Sequence, residues 1–379
     1  MFVISPEMAH FSAQRGFLGV LPPDSDEAGN PLDTLGIFMQ SLKDMSAHLS
    51  NNGRKFEIHC AYKADDILNA SASKYNDEYF LLVNIGIKFR MAPLFSALLS
   101  HSQIFTEIGN PDDEIPVVDN NLTLLQTGLD IASFPDPPKN MERKILASEL
   151  AFIAEFLVIQ HEMGHIINGH LDFLLDDGGP DSSIDEINNL AFQKFGGKIS
   201  QTLEYDADCY AIQTLLNFFL SKGHVSDGNA TFSVLRDDVE ISEVGKLLKK
   251  IVFASYIYFR IIHEHHDSIF GTFPAAELGE IQNRSHPPAF FRNYITYNMV
   301  SSVLSRGFRI DETQFISNIE KGFIEAEAAW RLVTGSIIDN PFSGIYWTSS
   351  ESLLKKYNSE WDSIKLNVGK FNWAGRLAP

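Results

Sequence analysis

Apolar and polar positions alternate from Phe56 to Tyr62, the two-residue period of a half-buried strand. The run Tyr79-Phe80-Leu81-Leu82-Val83, inside Glu78 to Phe89, is continuous and rich in strand formers, and reads as a second, largely buried strand. From Met91 to Leu99 the apolar spacing turns helical. Ile108 to Pro138 is broken by Asp, Asn and Pro111, Pro116, Pro135, Pro137 and Pro138, and reads as surface loop. A long helix is expected from near Asn140, with Asp136 or Asn140 as cap, Pro138 at its entrance and Glu142 in its first turn. Its apolar residues recur from Ile145 through Leu157 to Ile166 and Ile167, and Gly169 supplies a stop. Asp172 to Ser200 carries Asp176-Asp177-Gly178-Gly179-Pro180, a break between helices. Further helices are expected over Gln201 to Phe219, Val244 to His263 and Ile310 to Val333. Gly335 to Pro379 mixes Gly, Pro and Trp with short apolar runs.

Few strands early and many helices late imply an α+β fold. No repeat or low-complexity tract divides the chain. The expected organisation is an N-terminal segment over 1–66 packed on a central unit over 67–300, followed by a helical extension over 301–379. At 379 residues, with 44% hydrophobic and 21% charged positions, the chain can bury a core without disulfides or structural metals. Its net charge of -19 would repel phosphate backbones and anionic membrane surfaces, which excludes nucleic acid as an expected partner. Cys60 and Cys209 lack metal-type spacing and read as two unpaired thiols of a reducing compartment. Met1 to His10 has no basic patch followed by an apolar run. The most apolar stretches, Ala151 to Gln160 and Ile251 to Ile262, fall short of the roughly 20 residues of a spanning helix. A cytoplasmic protein without a membrane span is expected.

The chemistry concentrates at His161-Glu162-Met163-Gly164-His165, an HExxH pattern deep in the long helix. Residues four apart lie on nearly one face, so both imidazoles can reach one metal ion. Glu162 is displaced by one position, enough to miss the metal and meet water there as general base. A catalytic zinc site takes three protein ligands and keeps one position open. Glu204, at the head of the next long helix, is the expected third ligand. Asp208, one turn on, can accept a hydrogen bond from the outer nitrogen of a ligand imidazole. Asp206 between them is expected at the surface.

Two rivals for the third ligand precede Glu204. The longer HExxHxxGxxH pattern fails, because its last ligand position is Leu171. His170 and Asp172 flank it, each one residue out of register. On a helix continuing past His165, His170 points to roughly the opposite side, at about 100° per residue. Asp172 returns to the right face roughly 10 Å further along. Either reaches the metal only if the chain breaks at Asn168-Gly169 and doubles back. Glu204→Ala is therefore expected to cost metal affinity, and His170→Ala and Asp172→Ala to bind zinc normally. His263-Glu264-His265-His266-Asp267 reads as a helix C-terminus favouring His rather than as a metal site.

His161-Glu162-x-x-His165, Glu204-x-x-x-Asp208 and Ser285-His286-Pro287-Pro288 with Arg292, in that order, resemble the motif series of gluzincins of the HtpX and CAAX prenyl protease type. Asn69-Ala70 and the strand through Val83-Asn84 resemble that family's element before the zinc helix, so the likeness spans roughly Ile67 to Arg292. It implies a zincin-like catalytic unit, with a small mixed sheet packed on the HExxH helix and additional helices around it. It implies that His161, His165 and Glu204 bind Zn2+, that Glu162 is the base, and that Asp208 supports a ligand. It further implies that His286 and Asn69 stabilise the oxyanion, and that the Tyr79 to Asn84 strand pairs with the substrate backbone. Most members of that type carry transmembrane helices. The Lit-type phage-exclusion peptidase resembles this chain in having HExxH without them. A proline-locked His286 suits a group that donates to a developing negative charge, and Arg292 is expected to anchor its loop through an acidic neighbour.

The expected function is that of a zinc-dependent endopeptidase acting on protein or peptide substrates inside the cell. The alternatives are a non-catalytic, zinc-stabilised binding module, in which Glu162 would have no use, and a zinc-dependent hydrolase of a non-peptide amide.

Overall fold

The computed structural model describes residues 5–14, 20–21, 50–51, 54–114, 124–125, 128–129, 136–175, 181–185, 196–227, 230–236, 238–270, 286–334 and 344–373. They form an α+β fold, mostly helical with one small mixed sheet. The sheet comprises β1 (Val20–Leu21), β2 (Ile58–Lys63), β3 (Ala70–Tyr75), β4 (Glu78–Asn84) and β5 (Asp181–Asp185), in the spatial order β1-β2-β4-β3-β5. β2 and β4 run parallel, and the remaining pairs are antiparallel. Asn76 and Asp77 join β3 to β4 with φ of 51° and 65°, the paired left-handed conformations of a two-residue hairpin turn.

Alternation within the strands gives the sheet two apolar faces. Tyr62, Tyr79, Leu81 and Val83 face the main core, whereas Ala61, Phe80 and Leu82 face a smaller cluster with Met8 and Phe11. Those last two belong to α1 (Pro6–Gln14), which covers the outer face. Against the inner face lies α3 (Met141–Ile167), tied to β2 by a 2.7 Å hydrogen bond from the Tyr62 hydroxyl to Glu155. Around α3 pack α2 (Ile85–Leu99), α5 (Gly197–Leu220) and α6 (Ile241–Phe270). A short α4 (His170–Leu175) follows α3, and α7 (Ala289–Ser302), α8 (Ile316–Thr334) and α9 (Gly344–Val368) complete the helical layer. Among the described residues, one main cluster of buried apolar side chains has members from Phe56 to Trp373.

Several expectations shift by a few residues, and three change more. The sequence suggests no strand after Asn69-Ala70, yet Ala70–Tyr75 is β3; its small and polar residues leave no hydrophobic signature. Strands also occur late, as β5 and as the hairpin of Ser221–Asp227 with Ala230–Leu235. Gly344–Val368 is one long helix although its sequence shows only short apolar runs. By length and composition α3 could cross a membrane, and 89% of its most apolar window is buried in the protein. The Gly178-Gly179-Pro180 break and Ser285 lie outside the described residues.

Candidate metal centre

Asn140 starts α3 by accepting hydrogen bonds from the backbone of Glu142 and Arg143, as its cap position demands. The helix ends at Ile167, and Gly169, at φ +83°, lets the chain turn into α4. Within α3, His161 and His165 face α5, which approaches closely because residue 164 is glycine. A Cβ there would sit 3.0 Å from Ala207 Cα and 3.3 Å from its Cβ. This contact brings Glu204 beside the two imidazoles.

His161, His165 and Glu204 are all buried, and each offers one ligand atom within 4.8 Å of the others. Among the described residues they are the one His, Cys, Asp or Glu group so arranged. His161 Nε2 lies 3.1 Å from Glu204 Oε2 and 3.2 Å from His165 Nε2. Three ligand atoms of this kind, converging on one point, match the donor set and number that zinc takes in catalytic sites.

The outward nitrogens test that fit independently. His161 Nδ1 is 2.9 Å from Asp208 Oδ1. A carboxylate oxygen can only accept here, so Nδ1 carries the hydrogen and Nε2 presents its lone pair to the metal position. Arg292 fixes Asp208 in turn, donating from Nε to Oδ2 at 2.9 Å and from a terminal nitrogen to Oδ1 at 2.7 Å. Its guanidinium stacks 4.3 Å from the Phe259 ring centre. Burial works against the Asp208 charge, but Arg292 and His161 hold its carboxyl below the usual range. Burial, with the neighbouring imidazoles and the Arg292 guanidinium behind it, holds the His165 imidazole well below its ordinary range. A neutral imidazole is the form that binds metal.

Arg292 anchors to an acidic neighbour as the sequence suggests, from a helix, α7, that the sequence reading did not identify. His286, just before Pro287-Pro288, brings Nε2 to 3.5 Å from Glu204 Oε2, so the motif's His does reach the cluster. Glu162 is buried beside His161 on α3. Asn69 is not drawn in. Its backbone carbonyl accepts from Asn84 N at 2.9 Å, its buried side-chain oxygen has no hydrogen-bond partner, and no hydrogen bond links it to the cluster.

Four expectations need correction. Asp206 is not at the surface; it is 1% exposed and accepts from Asn168 Nδ2 at 2.6 Å. His170 does not point away, because the chain breaks at Asn168-Gly169 and returns it to His165, Nδ1 to Nδ1 at 2.9 Å. It meets the outer nitrogen of His165 and is not itself in the cluster. Asp172, where the sequence places the start of the break between helices, is helical instead. It lies in α4, buried, accepting from Lys74 Nζ at 2.8 Å and the Tyr79 hydroxyl at 2.5 Å. The Tyr79 to Asn84 strand cannot pair with a substrate backbone, because β2 and β3 already occupy both edges of β4. The side chains of His263 to Asp267 lie outside the described ones. Both cysteines are buried and unpaired, and burial raises the pKa of each thiol, away from thiolate chemistry.

No protein-family model, curated protein or solved structure matches this chain.

Proposed function

We propose that this protein is a zinc-dependent peptidase with a zincin-like catalytic unit, in which His161, His165 and Glu204 hold the metal and Glu162 is the general base. The observation that carries the reading is the convergence of those three buried ligand atoms within 4.8 Å, contributed by two helices pressed together at Gly164 and Ala207. A bound zinc supplies Lewis-acid chemistry, polarising a carbonyl and making water a competent nucleophile near neutral pH. Asp208 and Arg292 hold the His161 ring in the tautomer that binds. Glu162 shares α3 with the two histidine ligands but stays outside the ligand set, which leaves its carboxylate to take a proton from attacking water and pass it to the departing amine. His286, beside Glu204, is placed to donate toward negative charge developing on the scissile carbonyl. A purely structural metal site would need no carboxylate of that kind, which favours hydrolysis over a binding module.

Protein purified without chelator should contain about one zinc per chain by elemental analysis. Glu162→Gln should keep that zinc and the fold while abolishing cleavage, read by mass spectrometry of peptides released from an unfractionated protein mixture. Failure to take up zinc would end the reading. Normal turnover by the Gln variant would remove Glu162 from it.

A further inference from the structure

His161 and His165 present their outer nitrogens to different surroundings. His161 meets a carboxylate directly, whereas His165 meets another imidazole, His170, at 2.9 Å between their Nδ1 atoms. Both rings are fully buried. His170 Nε2 then lies 3.0 Å from Asp206 Oδ2, which also accepts from Asn168 Nδ2.

The hydrogens along this line can be assigned from one end. The Asp206 carboxylate accepts, so His170 carries its hydrogen on Nε2. A neutral His170 then has a lone pair on Nδ1, which accepts from Nδ1–H of His165. That leaves the lone pair of His165 on Nε2, the atom facing His161 and Glu204. We propose that His170 and Asp206 are positioning residues of the metal centre, setting the tautomer and the ring orientation of His165 as Asp208 does for His161. The inference rests on the metal reading above and extends it to residues outside the ligand set.

The fold builds this arm separately from the first. Glu204 and Asp208 share one face of α5, and Asp206, two residues from each, lies roughly 200° around the helix at about 100° per residue. It is nonetheless buried, because the turn after α3 wraps over that side and delivers Asn168 and His170 to it. The turn depends on Gly169. Its φ of +83° suits glycine, and a Cβ would lie 2.7 Å from the Phe371 carbonyl carbon.

The test uses the full-length chain, zinc as the probe and competition with a chromophoric chelator as the readout. Contrary to what helix spacing alone suggests for His170, His170→Ala and Asp206→Ala should each lower zinc affinity, on the order of 10- to 100-fold, as loss of an orienting partner does. Their circular dichroism should match wild type. His170→Gln should recover most of the loss, since its amide oxygen can accept from His165 Nδ1–H. Long-range 15N–1H spectra of the metal-free wild type should show His165 protonated at Nδ1 and His170 at Nε2. Should His170→Ala fail to fold, the Gln variant and the wild-type spectra decide the matter. A His165 hydrogen on Nε2, or wild-type affinity in both alanine variants while Glu204→Ala loses zinc, would overturn the arm and leave the metal site standing. If the wild type binds no zinc, both readings fall.

Discussion

His101 is fully buried, and neither of its ring nitrogens has a hydrogen-bond partner. Its backbone carbonyl, with those of Leu99, Ile104, Phe105 and Ile108, accepts from the buried Arg143 guanidinium, which thereby satisfies the chain leaving α2. Burial lowers the His101 pKa, so the unfolded chain takes up its proton first as pH falls. The neutral ring's contribution to stability is complete above about pH 6.5 and is lost progressively as pH falls below that toward the lower folded value. His101→Leu should therefore lose less of its denaturation midpoint than wild type between about pH 7.5 and pH 5.5. Urea melts at the two pH values check this, and coinciding acid slopes would assign the loss to other groups.

Between elements, the contact that matters most for the site is the crossing of α3 and α5. Helix propensity alone would have Gly164→Ala stabilise the protein by about 1 kcal/mol. The Ala207 backbone stands in the way at 3.0 Å, and overpacking of this kind costs about 1–3 kcal/mol. The expected result is no gain in melting temperature together with weaker zinc binding, because pushing the helices apart moves Glu204 from the imidazoles. A stabilised variant with unchanged affinity would show that this contact does not set the site's width. The same helices explain why the two carboxylates four apart act as different parts: Glu204 joins the ligand cluster, and Asp208 sits behind His161 under Arg292.

At the scale of the whole molecule, the last described segment packs back against α3 through Trp373. Trp373 donates its backbone N–H to the Ile167 carbonyl at 2.8 Å and its ring N–H to the Tyr79 hydroxyl at 2.8 Å. Its ring packs edge-on against Phe56 and Tyr79. Sheet, helix α3 and the segment after α9 thus meet at one residue nearly 300 positions after Tyr79 in sequence. Trp373→Ala should destabilise the protein by about 3–5 kcal/mol, the usual range for a buried Trp or Phe. Trp373→Phe, which keeps most of the packing and loses the ring hydrogen bond, should cost about 1 kcal/mol from that bond. Denaturant melts distinguish the two. Equal, small losses would mean that the C-terminal segment is only laid on the surface.

Periodicity was enough to determine α3 and β2, because an apolar stripe of period 3.6 and one of period 2 each have a single regular solution, while β4 was legible from a short continuous run of strand-forming residues. HExxH and the ExxxD spacing likewise determined which side chains would share a helix face, and the structure brings His161, His165, Glu204 and Asp208 together accordingly. Spacing along one element says nothing about what surrounds its other faces. β3 carries small and polar residues and is a strand because β4 and β5 pair with it. Asp206 looked like a solvent-facing carboxylate and became a buried one, because the Asn168-Gly169 turn folds over it. His170 points away only on a helix that continues past His165; the left-handed Gly169 ends that helix and reverses the chain, the alternative that spacing alone leaves open. In each case the deciding interaction joins residues distant in sequence or on different elements, and only the packed chain brings them within hydrogen-bonding range.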